Sequence, residues 1–197
     1  MAGSIGFHHV LRECGATEGD LNDLDTLPLG PLERGEAREL AQRLLLGIDR
    51  PTAGEDTLTA LVESSGGIPW LLHILASMLH DGSGLVTAQE VAATFDAFVA
   101  DRDQSRGALH FLTRLDPNYG QDADLAKAIL DFMADQPAPM SPPQIAEVLH
   151  HDRAQVARVV DHLLDDHYLS RHGDFVAWRY EVLRRMWTRL RCRGTAR

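Results

Sequence analysis

The chain has 197 residues, 44% hydrophobic and 24% charged, with a formal net charge of −10; this composition excludes a disordered tail and suits one large or two small globular domains. Cys14 and Cys192 are too few for a disulfide framework, no Cys/His spacing resembles a zinc site, and no apolar run has membrane-spanning length. No signal-peptide pattern follows Met1, so the expectation is a cytoplasmic protein, and its acidity disfavours nucleic acid as a long-range partner.

From Glu33 to Gly47 the spacing of Ala37, Leu40, Ala41, Leu44 and Leu45 predicts a helix that Gly47 ends. A shorter helix follows from Asp56 to Ser65 through Leu58, Leu61 and Val62. The stretch Pro69 to His80 is apolar almost all round, through Leu71, Leu72, Ile74, Leu75, Met78 and Leu79, and reads as the buried centre of a bundle. Thr87-Ala88-Gln89-Glu90 has the form of a capping box and opens a fourth helix through Phe95, Phe98 and Val99.

Residues 101–121 are polar, then apolar at Leu109, Phe111 and Leu112, then break at Asp116-Pro117-Asn118-Tyr119-Gly120. They read as a connecting helix followed by a turn. Leu125, Ile129, Leu130 and Met133 then mark a helix that stops before Pro137. Ser141-Pro142-Pro143-Gln144 is a second capping box leading into Ile145, Val148 and Leu149, and Asp152 caps a helix through Val156, Val159, Val160, Leu163 and Leu164. Alternation in Tyr168–Arg171 and Phe175–Trp178 around His172-Gly173-Asp174 predicts a β-hairpin. A last helix runs from Tyr180 to about Leu190 through Leu183, Met186 and Trp187. Three helices followed by a two-stranded wing is the order of a winged helix, a variant of helix-turn-helix.

Charge divides the chain in the same way. Residues 1–107 hold 7 Arg against 17 Asp and Glu, a net −10, whereas 108–197 hold 12 basic and 12 acidic residues. Such a shift suggests two units with a junction near 101–121.

The stretch Ser64-Ser65-Gly66-Gly67-Ile68-Pro69-Trp70 stands out. Two glycines accept positive φ without a Cβ penalty, and a proline fits a first helical turn. Bare amides at such a helix start, aided by the dipole, would favour a phosphate; an ordinary helix-start turn uses the same residues.

With both halves in view, the chain resembles the C-terminal part of a STAND-type ATPase of the P-loop AAA-like class. Gly67-Ile68-Pro69 matches the Gly-x-Pro element of that family's helical lid, whose proline lies against adenine. Leu27-Pro28-Leu29-Gly30-Pro31-Leu32 followed by Glu36-Ala37 resembles the lead-in to the lid. Gly3-Ser4-Ile5-Gly6-Phe7-His8-His9-Val10-Leu11 resembles the segment after the sensor strand. The resemblance implies a mainly α fold, with a four-helix lid-type bundle followed by a winged-helix domain carrying a small β-hairpin. Residues 1–28 would be a remnant of the nucleotide-binding core, 29–105 the lid, 106–121 a connector and 122–197 the winged helix.

It also implies ATP or ADP with magnesium in the complete protein, and Gly66, Gly67 and Pro69 as the lid's contribution to the nucleotide pocket. Ser4, with His8 and His9, would be a sensor remnant near the γ-phosphate, although polar groups at a strand end are equally suited to face solvent. No Gly-x-x-x-x-Gly-Lys-[Ser/Thr] sequence and no strand ending in paired acids occurs here. The chain is therefore expected to be a fragment that binds nucleotide weakly and does not hydrolyse ATP alone.

No catalytic constellation and no metal set emerges. His150, His151, His167 and His172 are available to reach a phosphate from the winged helix, but each also reads as solvated. For a DNA reading, Gln155 and Arg158 could contact bases and the wing offers Arg171. The helix from Asp152 to Asp166 is nevertheless net −2, which suits packing or protein contact better than a duplex. Residues 179–197 hold seven Arg against Glu181, among them Arg184, Arg185 and Arg189. That cluster suits nucleic acid, or salt bridges to the acidic bundle or a neighbouring subunit. The expected role is the regulatory part of an ATP-driven switch that relays nucleotide state to a protein partner or neighbouring subunit. The alternative is a freestanding winged-helix DNA-binding regulator.

Overall fold

The computed structural model describes residues 14–15, 30–100 and 115–194. The described chain is mainly helical with one two-stranded antiparallel sheet, and it divides into a unit of residues 28–106 and a unit that includes 107–197. Among the described residues, no helix is long and apolar enough to cross a membrane. The expected connecting helix around Leu109–Leu112 lies outside the described residues, as do Ser4, His8 and His9.

In the first unit, helix α1 (Arg34–Gly47) opens on Glu33, whose backbone N–H donates to the Glu36 carboxylate at 3.3 Å. Ala37, Ala41 and Leu45, spaced four apart, turn inward. Helix α2 (Glu55–Ser65) buries Leu58 and Leu61, and Gly66 ends it in the left-handed region at φ 59°. Helix α3 (Pro69–His80) and helix α4 (Ala88–Ala100) complete the unit. Each of the four helices touches others of the set, and the fully buried Phe95 and Phe98 are its largest core side chains. Each such ring contributes about 1.5–3 kcal/mol through burial.

Helix α3 is not enclosed on all sides as its hydropathy suggested. Leu71, Leu72, Leu75, Ala76 and Leu79 are buried, whereas Trp70, His73, Ser77 and His80 form an exposed stripe. The expected capping box at Thr87 is half present. Thr87 Oγ1 accepts the Glu90 backbone N–H at 3.2 Å, but the Glu90 carboxylate reaches Arg50.

Arg50 is the polar keystone of this unit. Its side chain is 5% exposed, and its guanidinium donates to the carbonyls of Leu79, Ser83 and Gly84 and to Glu90. Beside it, Val86 N–H donates to Pro51 O at 2.9 Å and Ala53 N–H to Val86 O at 2.8 Å. Two long loops are thereby fastened together, which satisfies backbone groups that would otherwise be buried without partners.

In the second unit, the stretch expected to be a turn is helical. Helix α5 (Leu115–Tyr119) runs into a 3-10 turn (Gly120–Asp122) and then helix α6 (Ala123–Ala134). Pro117 falls within the first turn of α5, where its missing N–H removes no helical bond. Leu115 and Tyr119, four apart, enter the same core as α6, so burial outweighs the local turn propensity.

Helix α7 (Pro142–Leu149) begins with the expected capping box, since Ser141 Oγ accepts the Gln144 N–H while Gln144 Oε1 accepts the Ser141 N–H. Asp152 caps helix α8 (Arg153–Asp165) by accepting the Gln155 N–H at 2.9 Å. Strands β1 (Leu169–His172) and β2 (Phe175–Trp178) pair antiparallel, with Gly173 at φ 62° in the loop. Met140, just before α7, forms a two-way backbone bridge to Val176 on the other side of β2. Helix α9 (Glu181–Gly194) packs on α6, with Trp187 Nε1 donating to Asp131 at 2.8 Å. The core collects Ile129, Leu130 and Met133 of α6 with Val156, Val159, Val160 and Leu163 of α8.

Candidate functional site

The glycine-proline turn of the first unit has a sharply defined geometry. Gly66 and Gly67 both lie in the left-handed region, at φ 59° and 73°, and Pro69 opens α3. Leu32 N–H donates to Gly67 O at 2.9 Å, so the segment leading into α1 is fastened to the turn. A Cβ on Gly67 would stand 2.9 Å from the backbone oxygen of Leu32, closer than such atoms approach.

The amides of this turn are engaged within the chain. Gly66 N–H donates to Glu63 O, Gly67 N–H to Ser65 Oγ at 3.3 Å, and Ile68 N–H to Ser65 O at 3.2 Å. Those three amides are therefore not bare, because the double left-handed turn points them back at α2. Gly67 is itself buried, and its observed contacts are packing contacts. Gly66, Pro69 and Trp70 are exposed, and the Trp70 ring meets Phe98 edge-on with centroids 5.9 Å apart.

The residues considered for nucleic acid lie in the second unit and are largely occupied. Arg158 Nη2 donates to both Asp122 oxygens, at 3.1 and 3.3 Å, and Gln155 Nε2 donates to Asp122 Oδ1 at 3.1 Å. Arg171 on the wing pairs with Asp161 at 2.8 Å. Arg184 grips Glu181 with two nitrogens and donates to Ala134 O, while Arg191 donates to Asp131 O and to Asp135. These two arginines thus complement the carbonyl end of α6, where cations are favoured. Arg185 and Arg189 line an open depression with Ala134, Asp135, Arg184 and Thr188.

His150 ends α7 at φ 54°, His167 Nδ1 accepts from Arg179 at 3.1 Å, and His172 lies 3.0 Å from Ser170 Oγ. Among the described residues, no group of three His, Cys, Asp or Glu side chains is arranged to hold a metal ion.

Sequence reasoning missed Asp122, which holds the two polar side chains of α8 that it had singled out. Its carboxyl titrates below the usual aspartate range, chiefly because the Gln155 amide bonds it, with the Arg158 guanidinium adding to that and desolvation opposing it. A depressed carboxylate stabilises the fold above its unfolded value, near 3.9, and loses that contribution as pH falls through the lower folded value. The second unit is thus expected to lose stability below about pH 4, and Asp122→Asn to flatten that acid limb. Thermal melts of both proteins at acid and neutral pH check this.

Compared with known proteins, the chain matches no family model, and no curated protein matches its sequence.

Proposed function

We propose that this chain is the lid and winged-helix portion of an ATP-dependent molecular switch, helping to hold a nucleotide and relaying its state to a protein partner or neighbouring subunit. The observation that carries the reading is the joining of two motifs, the lead-in at Pro31-Leu32 and the turn at Gly67, by one backbone hydrogen bond of 2.9 Å. A lid must hold its adenine-facing proline at a fixed angle, and this contact fixes the start of α3 against α1.

The surface left by that packing suits a base better than a phosphate. Pro69 and Trp70 are exposed, whereas the amides of Gly66, Gly67 and Ile68 are occupied. Pro69 would lie against the adenine, Gly66 would allow its close approach, and Gly67 would act by packing. ATP with magnesium, held by a core that this sequence lacks, would supply the phosphoryl chemistry; these residues bind and orient. This half-built surface implies weak affinity of the chain alone.

The winged-helix part is supported by the order α6, α7, α8, β1, β2 and α9, and by the Met140–Val176 bridge. A lone two-stranded hairpin is marginal in water, and the bridge ties the wing to the segment between α6 and α7. Cytoplasmic placement belongs to the same proposal.

The test is amide exchange over residues 66–72 in a protein that includes the core, with and without ADP. Slower exchange with ADP supports the reading. Unchanged exchange together with an unchanged arrangement of the two units would sink it.

A further inference from the structure

The sequence of α8 and its caps counts as net −2, which argues against contact with a duplex. The fold gives those acids partners. Asp152 accepts the Gln155 N–H as the helix cap, Asp161 pairs with Arg171 of β1, and Asp166 is 1% exposed and accepts the Tyr119 hydroxyl at 2.8 Å. These three acids are each engaged by another group of the unit, Asp165 is not free either, and Asp166 is buried outright. What remains on this helix includes Arg153, which is exposed, and the pair Gln155 and Arg158.

Gln155 and Arg158 are three residues apart, so they project from the same side of one helical turn. Both donate to a single carboxylate, Asp122, whose side chain is 11% exposed although that of Arg158 remains 54% exposed. A carboxylate that accepts from an amide and a guanidinium satisfies the same donors that a phosphate oxygen or a base edge would satisfy. Asp122 belongs to the segment that leads into α6, and Tyr119 of that segment makes the second tie, to Asp166 at the far end of α8.

We propose that α8 carries a latent binding site for duplex nucleic acid, held shut by Asp122 acting as an internal anion. The proposal rests on the winged-helix part of the reading above and not on its nucleotide part. With Asp122 in place, Gln155 and Arg158 are engaged internally and the acidic chain repels a duplex at long range. Removing that one charge breaks the ion pair and releases Arg158 to a phosphate, while the Gln155 amide, held then by a neutral acceptor, exchanges more readily for a base or sugar.

The experiment measures fluorescence anisotropy of a labelled duplex of mixed sequence, about 20 bp long, in about 50 mM salt. It compares the whole chain with Asp122→Asn, Tyr119→Phe and the double variant Asp122→Asn with Arg158→Gln. The wild-type chain is expected to leave the duplex unbound, and Asp122→Asn to bind at least roughly tenfold more tightly, with affinity falling as salt rises. Arg158→Gln in that background should remove the gain. Tyr119→Phe cuts the other tie of the same segment and should not produce binding.

A folded Asp122→Asn variant that ignores the duplex overturns the proposal. So does wild-type binding of equal strength, or a gain in Tyr119→Phe, which would make general loosening the cause. If Asp122→Asn melts below the assay temperature, Asp122→Ser, which keeps a short acceptor, takes its place under the same criteria. A negative result leaves the nucleotide reading standing, because that reading is tested by exchange at residues 66–72.

Discussion

Arg50→Ala is expected to destabilise the first unit strongly, by about 3 kcal/mol, the lower end of what removing one partner of a buried ion pair costs. The guanidinium is almost wholly enclosed and serves four groups, among them the carbonyl of Leu79 in the last turn of α3 and those of Ser83 and Gly84 in the loop that follows. Alanine leaves the part-buried Leu79 carbonyl and Glu90 without their donor, while the Ser83 and Gly84 carbonyls, which are exposed, turn to water and no longer hold the loop. Arg50→Lys keeps the charge, but one ammonium cannot span carbonyls that the forked guanidinium reaches together, so most of the loss should persist. In a unit of this size, about 3 kcal/mol corresponds to a fall in Tm of at least roughly 12 °C. Calorimetry of the two variants checks it, and a lysine variant as stable as the wild type would show that charge alone matters here. Gly82 is tied to the same feature, because a Cβ there would stand 2.3 Å from the Arg50 guanidinium.

Gly67→Ala is the second large effect. The residue sits at φ 73°, where a side chain costs about 1–2 kcal/mol, and the new Cβ would press on the Leu32 carbonyl at 2.9 Å. That oxygen belongs to backbone already fixed by Leu32 N–H bonding Gly67 O, so it cannot withdraw without breaking the bond. A loss of about 2–3 kcal/mol follows from the sum of strain and contact. Gly66→Ala is the internal comparison: Gly66 is also left-handed but exposed, so conformational strain of about 1 kcal/mol should dominate. Denaturant unfolding should rank Gly67→Ala well below Gly66→Ala. Equal losses would mean that the contact between the turn and the lead-in to α1 has no energetic weight.

These two residues mark where sequence reading succeeds and fails. The glycines announce themselves, because a pair ahead of a proline has few other uses and the turn they form is local. Caps are legible for the same reason: Ser141 and Gln144 satisfy each other across three residues, and Asp152 accepts the backbone N–H of Gln155 at the same spacing. Arg50 and Asp122 were invisible because their partners lie 29–40 and 33–36 residues away. A polar contact at that range leaves no periodic trace. Glu90 shows how a local pattern misleads, since its position three residues after Thr87 suggests a cap while its carboxylate serves Arg50. The stretch Asp116–Gly120 carries strong turn residues, and only the burial of Leu115 and Tyr119 in a common core explains why it is largely helical.

The candidate site was legible in part. The turn was found, but the direction of its amides depends on two left-handed residues in succession and on Ser65 accepting from Gly67. The exposed stripe on α3 was readable in principle, since Trp70, His73, Ser77 and His80 recur at helical spacing, and the abundance of leucine between them obscured it.

The source DNA upstream of the Met1 codon tests most directly the proposal that these residues form the lid and winged helix of an ATP-driven switch. Read in the same frame, that DNA is expected to be open and to encode Gly-x-x-x-x-Gly-Lys-[Ser/Thr] and a later strand ending in acidic residues. A stop codon close upstream with no such core would contradict it, and would leave the chain to act alone through the surfaces of its second unit.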